Sequence, residues 1–268
     1  MSEQTTWQSG REWVNIAALG TKLGAGETAT TNLTQLSWPP PADWADRALI
    51  DGALRISGVP LDNDNAALRQ LASRLGRPAL RALAHHAGLV EPGGVQRVES
   101  LTNNPLDQAG KPLLSASNRA FPLHSDESFE LQPARWVLLH CWRAAADGGE
   151  TRLADLHQVV AEAERTLTIA LSQWHLPYPC GDLTTLDAQR RVRYNRAECE
   201  LAATQRGRPL DSASAGWLDR FERAFERAAF SCRLDSGDLL ILDNWRVLHG
   251  RCAFSADSGR LLKRLRVL

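Results

Sequence analysis

The sequence predicts a mainly β protein with flanking helices, built on a double-sheet barrel of the jelly-roll type. Three observations predict it. Strand signals become dense after residue 121, helical periodicity is limited to short stretches between them, and no repeat or low-complexity segment interrupts the 268 residues. A barrel of two sheets removes most exposed strand edges, which is how such a run of short strands becomes stable. The segmentation is continuous, so residues 1–268 read as a single domain.

Residues 1–45 read as irregular, with Pro39-Pro40-Pro41 as a stiff break. A helix is expected from about residue 42 to just before Gly52. Residues 53–59 alternate as a strand does. Residues 66–75 have helical periodicity and stop at Gly76, a residue suited to a helix C-terminus. Weak strands and turns fill residues 82–120, including a strand at 95–101 and an Asn103-Asn104-Pro105 turn. His85-His86 reads as a loop or helix end. Residues 136–142 form a buried strand, Gly148-Gly149 a turn, and residues 151–154 a short strand after it. One helix with an apolar stripe is expected over 156–173, a strand over 190–195 and an amphipathic helix over 217–229. Strands at 238–242, 247–254 and 261–267 close the chain.

Composition narrows the function. Apolar residues make up 43% of the chain, enough for one large core. Acidic and basic residues number 31 each, and no dense basic block occurs, so no nucleic-acid partner is expected. Five cysteines, an odd number, occur without a Cys-x-x-Cys pair, which argues against a disulfide framework and a structural zinc site. A reducing, cytoplasmic setting follows. The start of the sequence lacks the layout of a signal peptide. No apolar run approaches the roughly 20 residues that span a bilayer, so no membrane association is expected.

His124-Ser125-Asp126 and the distant His249 carry the chemistry. Two imidazoles and one carboxylate can occupy one face of an octahedral metal and leave three positions open, the facial arrangement of non-haem Fe(II) sites. Residues i and i+2 of an extended segment point the same way, so one strand end can aim His124 and Asp126 at one ion. The third ligand must come from a strand folded back beside the first. Around these lie Gly148-Gly149-Glu150-Thr151, the run Gly237-Asp238-Leu239-Leu240-Ile241-Leu242-Asp243-Asn244 leading to His249-Gly250-Arg251, and Arg260 and Arg264.

Taken together these motifs resemble the taurine dioxygenase and clavaminate synthase-like (TauD/TfdA) family of Fe(II)/2-oxoglutarate-dependent oxygenases. The resemblance runs from about residue 50 to the end and is most specific in residues 121–151 and 237–264. It implies a double-stranded β-helix core. It further implies that His124, Asp126 and His249 hold Fe(II), and that Thr151 and Arg260 bind the distal carboxylate of 2-oxoglutarate. Arg264 corresponds to a second arginine, which contacts an anionic group of the substrate or the inner end of the cosubstrate. The chemistry agrees, because a carboxylate buried without partners is very costly, and a guanidinium with a hydroxyl supplies directional, charge-assisted bonds. Without a bulge in the final strand, Arg260 and Arg264 share a face. The implied reaction uses O2 and 2-oxoglutarate to oxidise, most simply to hydroxylate, a C–H bond of a small carboxylate-bearing substrate such as an amino acid or its derivative. Asp126 argues against halogenation, for which relatives leave that place to a halide.

Further expectations are less specific. Asn118, Arg193 and Asn195 are candidate substrate contacts, Asn118 because alternation puts it on the His124 face. Asn244 and Arg251 are candidates for orienting the two histidines. His140 reads as a core residue. Arg266 stands where relatives often have an aromatic residue, which leaves the outer packing of the last strand open. Relatives commonly self-associate, so a homo-oligomer is compatible. Two other readings stay open: a barrel that binds a metal or small acid without turnover, and a metal-dependent hydrolase using the same three ligands.

Overall fold

Two β-sheets face each other, and the candidate ligands lie between them. The computed structural model describes residues 33–80, 89–100 and 114–268, and residues 33–268 form one compact unit. The larger sheet begins with β1 (Thr34–Ser37) and β2 (Ala53–Ser57), separated by α1 (Trp44–Asp51). α1 ends because Gly52 turns left-handed, with φ 76°. α2 (Ala66–Leu75) packs Leu68 and Leu71 into the cluster that covers this sheet. β3 (Val90–Glu91), β4 (Val95–Glu99), β6 (Trp136–Arg143), β11 (Leu239–Asp243) and β13 (Leu261–Val267) complete it, in the order β1-β2-β11-β6-β13-β4-β3. The central strands β6, β11 and β13 are covered on both faces. β6 and β11 therefore read as largely apolar runs rather than alternating ones, whereas β13 (LLKRLRV) buries Lys263, Arg264 and Arg266 among its apolar residues.

The smaller sheet has the order β10-β7-β12-β5. Its strands are β5 (Phe121–His124), β7 (Thr151–Asp155), β10 (Phe230–Cys232) and β12 (Val247–Arg251). α3 (Leu156–Glu162), α4 (Arg165–Gln173), α5 (Arg196–Gln205) and α6 (Ser212–Ala228) pack outside it, together with the hairpin β8 (His175–Tyr178) and β9 (Gly181–Thr184). The expected jelly-roll with external helices is the architecture found.

Several local expectations need correction. The single helix expected over 156–173 is two, because Ala163 is extended (ψ 146°) and Glu164 starts a new helix. Leu156, Val159, Leu167, Ala170 and Leu171 nevertheless face one core, so the apolar stripe runs across the break. Residues 190–195 form no ladder strand. Arg190 is left-handed (φ 61°), Val192 makes one isolated bridge to Leu186, and the backbone donates to loops, Val192 N to Trp245 O and Arg193 N to Thr185 O. β1 lies inside the stretch read as irregular and pairs in parallel with β2. α5 and the β8–β9 hairpin were not expected. α5 buries only the small Cys199, Ala202 and Ala203, which leaves a faint periodic signal. The His85-His86 segment and the Asn103-Asn104-Pro105 turn lie outside the described residues.

Candidate metal centre and its cavity

β5 and β12 are neighbours, and His249 stands directly opposite His124 in their register. Gly250 makes that pairing possible: a Cβ there would lie 2.6 Å from the carbonyl oxygen of Phe121. Any side chain would push the strands, and hence the two rings, apart. The ring centroids of His124 and His249 are 4.5 Å apart, and Phe121 stacks on His124 at 3.9 Å. Asp126 follows the end of β5. Its backbone is locked from both sides by Asn244, whose Oδ1 accepts from Asp126 N (2.7 Å) and whose Nδ2 donates to Asp126 O (3.1 Å). Glu127, next in the chain, adopts a left-handed φ of 58°, the kind of backbone strain that collects beside functional groups.

Among the described residues, His124, Asp126 and His249 are the group whose ligand atoms converge, all within 4.8 Å of one another. Nε2 of His124 lies 3.6 Å and Nε2 of His249 3.5 Å from the same Asp126 Oδ1. Nδ1 of His124 sits 2.9 Å from the Pro122 carbonyl oxygen, which suits a protonated Nδ1 and leaves Nε2 free to ligate. Burial, then the neighbouring His124, pushes His249 down to about 4, so its imidazole is neutral and able to donate a lone pair. Two imidazoles and a carboxylate whose ligand atoms converge fit an Fe(II)-type facial site.

The other oxygen of Asp126 is occupied by protein. Arg266 Nε donates to Oδ2 at 2.8 Å, and Arg264 Nη1 reaches both oxygens at 3.0 and 3.1 Å. Gln96 Oε1 accepts from both arginines. Burial alone would push the Asp126 carboxyl up. The two guanidiniums outweigh it and hold the carboxyl well below the usual range. Arg266 therefore does not belong to the outer packing of the last strand. It stands two residues after Arg264 on β13 and shares its inward face.

A cavity opens from the histidines along the inner face of the barrel. Thr151, Arg251, Arg260 and Arg264 line it with Ser115, Phe121 and Leu262. The turn before β7 delivers Thr151. Gly148 is obligatory there, because a Cβ would sit 2.1 Å from the Ala253 carbonyl oxygen. Arg260 precedes β13, and the β6–β13 register shifts between Leu261 and Leu262. The alternation that should link Arg260 to Arg264 is thus imperfect, yet both reach the cavity. Arg260 is buried, and among the described residues its guanidinium has neither ion pair nor hydrogen bond. It lies over Phe254, 5.4 Å from the ring centroid. Burial pushes Arg260 down to about 10.

The remaining candidates are placed elsewhere. Asn118 ties its turn to Phe254, donating to that carbonyl at 3.1 Å. It precedes β5 instead of sharing a strand face with His124. Arg193 donates to the carbonyls of Ser128, Glu130 and Leu131, and so holds the loop beyond Asp126. Asn195 caps α5, accepting from Glu198 N. Asn244 and Arg251 do not touch the histidine rings: Asn244 fixes the Asp126 backbone, and Arg251 binds carbonyls of residues 114–119. His140 is a buried residue close to the Val59 carbonyl.

The jelly-roll and its convergent His124, Asp126 and His249 have the form of a facial-triad metal site. The chain belongs to the taurine catabolism dioxygenase TauD, TfdA family, whose model matches residues 15–266; the protein is a dioxygenase of that family. Among solved structures, it is similar to an asparagine oxygenase in complex with Fe(II), 2S,3S-3-hydroxyasparagine and succinate. That match has 22% identity and a TM-score of 0.66, covering 85% of this chain and 80% of the other. A non-heme iron oxygenase, OrfP, in complex with Fe and alpha-ketoglutaric acid matches at 19% identity and a TM-score of 0.63, covering 85% and 80%. The same oxygenase with Fe, succinate and (3R,4R)-dihydroxy-L-Arg matches at 18% identity with a TM-score of 0.63, covering 85% and 81%. A search of curated protein sequences found no match. Among the described residues no helix is long and apolar enough to cross a membrane.

Proposed function

We propose that this dioxygenase uses Fe(II) and 2-oxoglutarate to hydroxylate a C–H bond of a small carboxylate-bearing substrate, an amino acid or an amino-acid-derived acid. The observation that carries the reading is one cavity with two complementary ends. One end holds three convergent metal ligands. The other holds Arg260, a buried cation with no acidic partner among the described residues, beside the hydroxyl of Thr151. A buried guanidinium without an anion is a costly arrangement that a ligand carboxylate would relieve. 2-Oxoglutarate has the matching form, with a chelating 2-oxo acid at one end and a carboxylate at the other.

His124, Asp126 and His249 would hold the iron. Once bound, iron supplies the coupling of 2-oxoglutarate decarboxylation, to succinate and CO2, with oxidation of substrate by O2. The chain's residues do the rest. Arg260 and Thr151 bind and orient the distal carboxylate, while the apolar wall of Phe121, Leu139 and Leu262 excludes water from it. Arg264 faces the cavity and Asp126 at once, and its buried Nε has no partner among the described residues. It can turn one edge to a substrate carboxylate while Arg266 keeps hold of Asp126. Bound hydroxyasparagine and dihydroxyarginine in the similar structures support an amino-acid-like substrate. Asn118, Arg193 and Asn195 would then shape the surrounding wall and loops rather than touch substrate. The five free cysteines suit a reducing, cytoplasmic setting.

Anaerobic reconstitution with Fe(II) and 2-oxoglutarate tests the reading. The expected result is a visible charge-transfer band that disappears in the Asp126→Ala and His249→Ala proteins. Its absence from folded, metal-loaded wild-type protein would overturn the cosubstrate assignment. Succinate release on adding candidate amino acids under air then identifies the substrate.

A further inference from the structure

Arg251 sits two residues beyond His249 on β12, so both side chains enter the barrel. It is 7% exposed and lines the same cavity as Arg260 and Thr151. Its Nη2 donates to three carbonyl oxygens, of Leu114 (3.1 Å), Ser117 (2.6 Å) and Arg119 (2.7 Å). Its Nε is buried and has no partner among the described residues. No carboxylate pairs with it among the described residues. Phe254 receives both guanidiniums, Arg251 at 4.9 Å and Arg260 at 5.4 Å from its ring centroid.

Two buried cations that repel each other, with only carbonyls and one aromatic ring for company, are unfavourable in an empty cavity. Carbonyl dipoles and a π face lower the cost but supply no net negative charge. The arrangement makes sense if an anion completes it.

We propose that Arg251 is a positioning residue of the cosubstrate end, a second cation that makes this wall a two-guanidinium receptor for the distal carboxylate. Arg260 and Thr151 supply the direct bonds. Arg251 adds attraction from behind and pins residues 114–119, including Ser115, as the facing wall. The inference rests on the cavity's being the 2-oxoglutarate site.

The test compares two chelators of anaerobic Fe(II)-loaded protein: 2-oxoglutarate, and pyruvate, which has the chelating end but no distal carboxylate. In the Arg251→Gln protein, 2-oxoglutarate affinity should fall about tenfold or more, the size of a nearby charge lost at intermediate dielectric. Affinity for pyruvate and for the metal should stay within about threefold, since neither uses the far wall. Arg251→Lys, which keeps the charge, should recover most of the loss. An unchanged 2-oxoglutarate affinity would overturn the proposal, and so would equal losses for both chelators, which would mark a general collapse of the cavity. Should Arg251→Gln not fold, Arg251→Met takes its place under the same criteria: a loss confined to 2-oxoglutarate supports the proposal, and unchanged affinity or equal losses for both chelators overturns it. A wild-type protein that loads iron but binds no 2-oxoglutarate would instead sink the cosubstrate reading itself.

Discussion

The two ends of the cavity handle charge in opposite ways. At the Asp126 end, two acids, Asp126 and Glu127, meet two guanidiniums, Arg264 and Arg266, with Gln96 bridging the arginines. At the far end, Arg251 and Arg260 have no acid at all among the described residues. The first end is balanced by the protein itself. The second is left unbalanced among the described residues, and under the proposed function a ligand carboxylate would supply the missing charge. Buried charge of one kind thus supports the fold, and buried charge of the other kind is a cost to the fold that binding relieves.

Substitutions at the two ends should accordingly differ in sign. The largest effect is expected at Asp126. Changing it to Ala removes a ligand and strands Arg264 and Arg266 in the interior. We expect loss of metal binding and a destabilisation of about 3–5 kcal/mol, measured by denaturant unfolding of the metal-free protein. Arg260→Leu sharpens the contrast. It removes a cation the fold does not pair, so the metal-free protein should be no less stable than wild type. Its 2-oxoglutarate dissociation constant should rise about 100-fold, or about 2.7 kcal/mol, as two charge-assisted bonds are lost. A clear drop in stability would mean that Arg260 has a structural partner and would break the comparison. Arg266→Leu should fall between the two. Arg264 still holds both oxygens of Asp126, so we expect a cost of about 2 kcal/mol in unfolding free energy. A loss as large as that of Asp126→Ala would show that Arg266 alone carries the balance.

Much of this was legible in the sequence, for particular reasons. His-x-Asp at a strand end and a distant His followed by Gly-Arg are short-range patterns whose geometry is set by backbone alternation. The Gly-Gly turn before Thr151 is fixed by backbone contact. Arg264 is legible from its spacing, and the same alternation applies to Arg266, two residues on. The resemblance hides it, because relatives often carry an aromatic residue at that place. Gln96 could not be found, because β4 approaches β13 only through tertiary pairing. Arg193 and Asn195 show the opposite limit. Both are polar residues on a segment that reads as a strand, and tertiary contacts give them bonds to a loop and a helix end that the sequence does not reveal. The break between α3 and α4 was hidden because one apolar surface covers both.

Gly250 has a consequence for how the protein assembles. Because β5 and β12 can touch only across a residue with no side chain, His124 and His249 face each other in a single register. A slip of one residue would turn His249 to the outer surface of the sheet. Under the proposed function, an ion would therefore be held only by a correctly zipped barrel. Metal capture would act as a check on strand alignment, and a misaligned chain would be left without the stabilisation that binding confers on its aligned form.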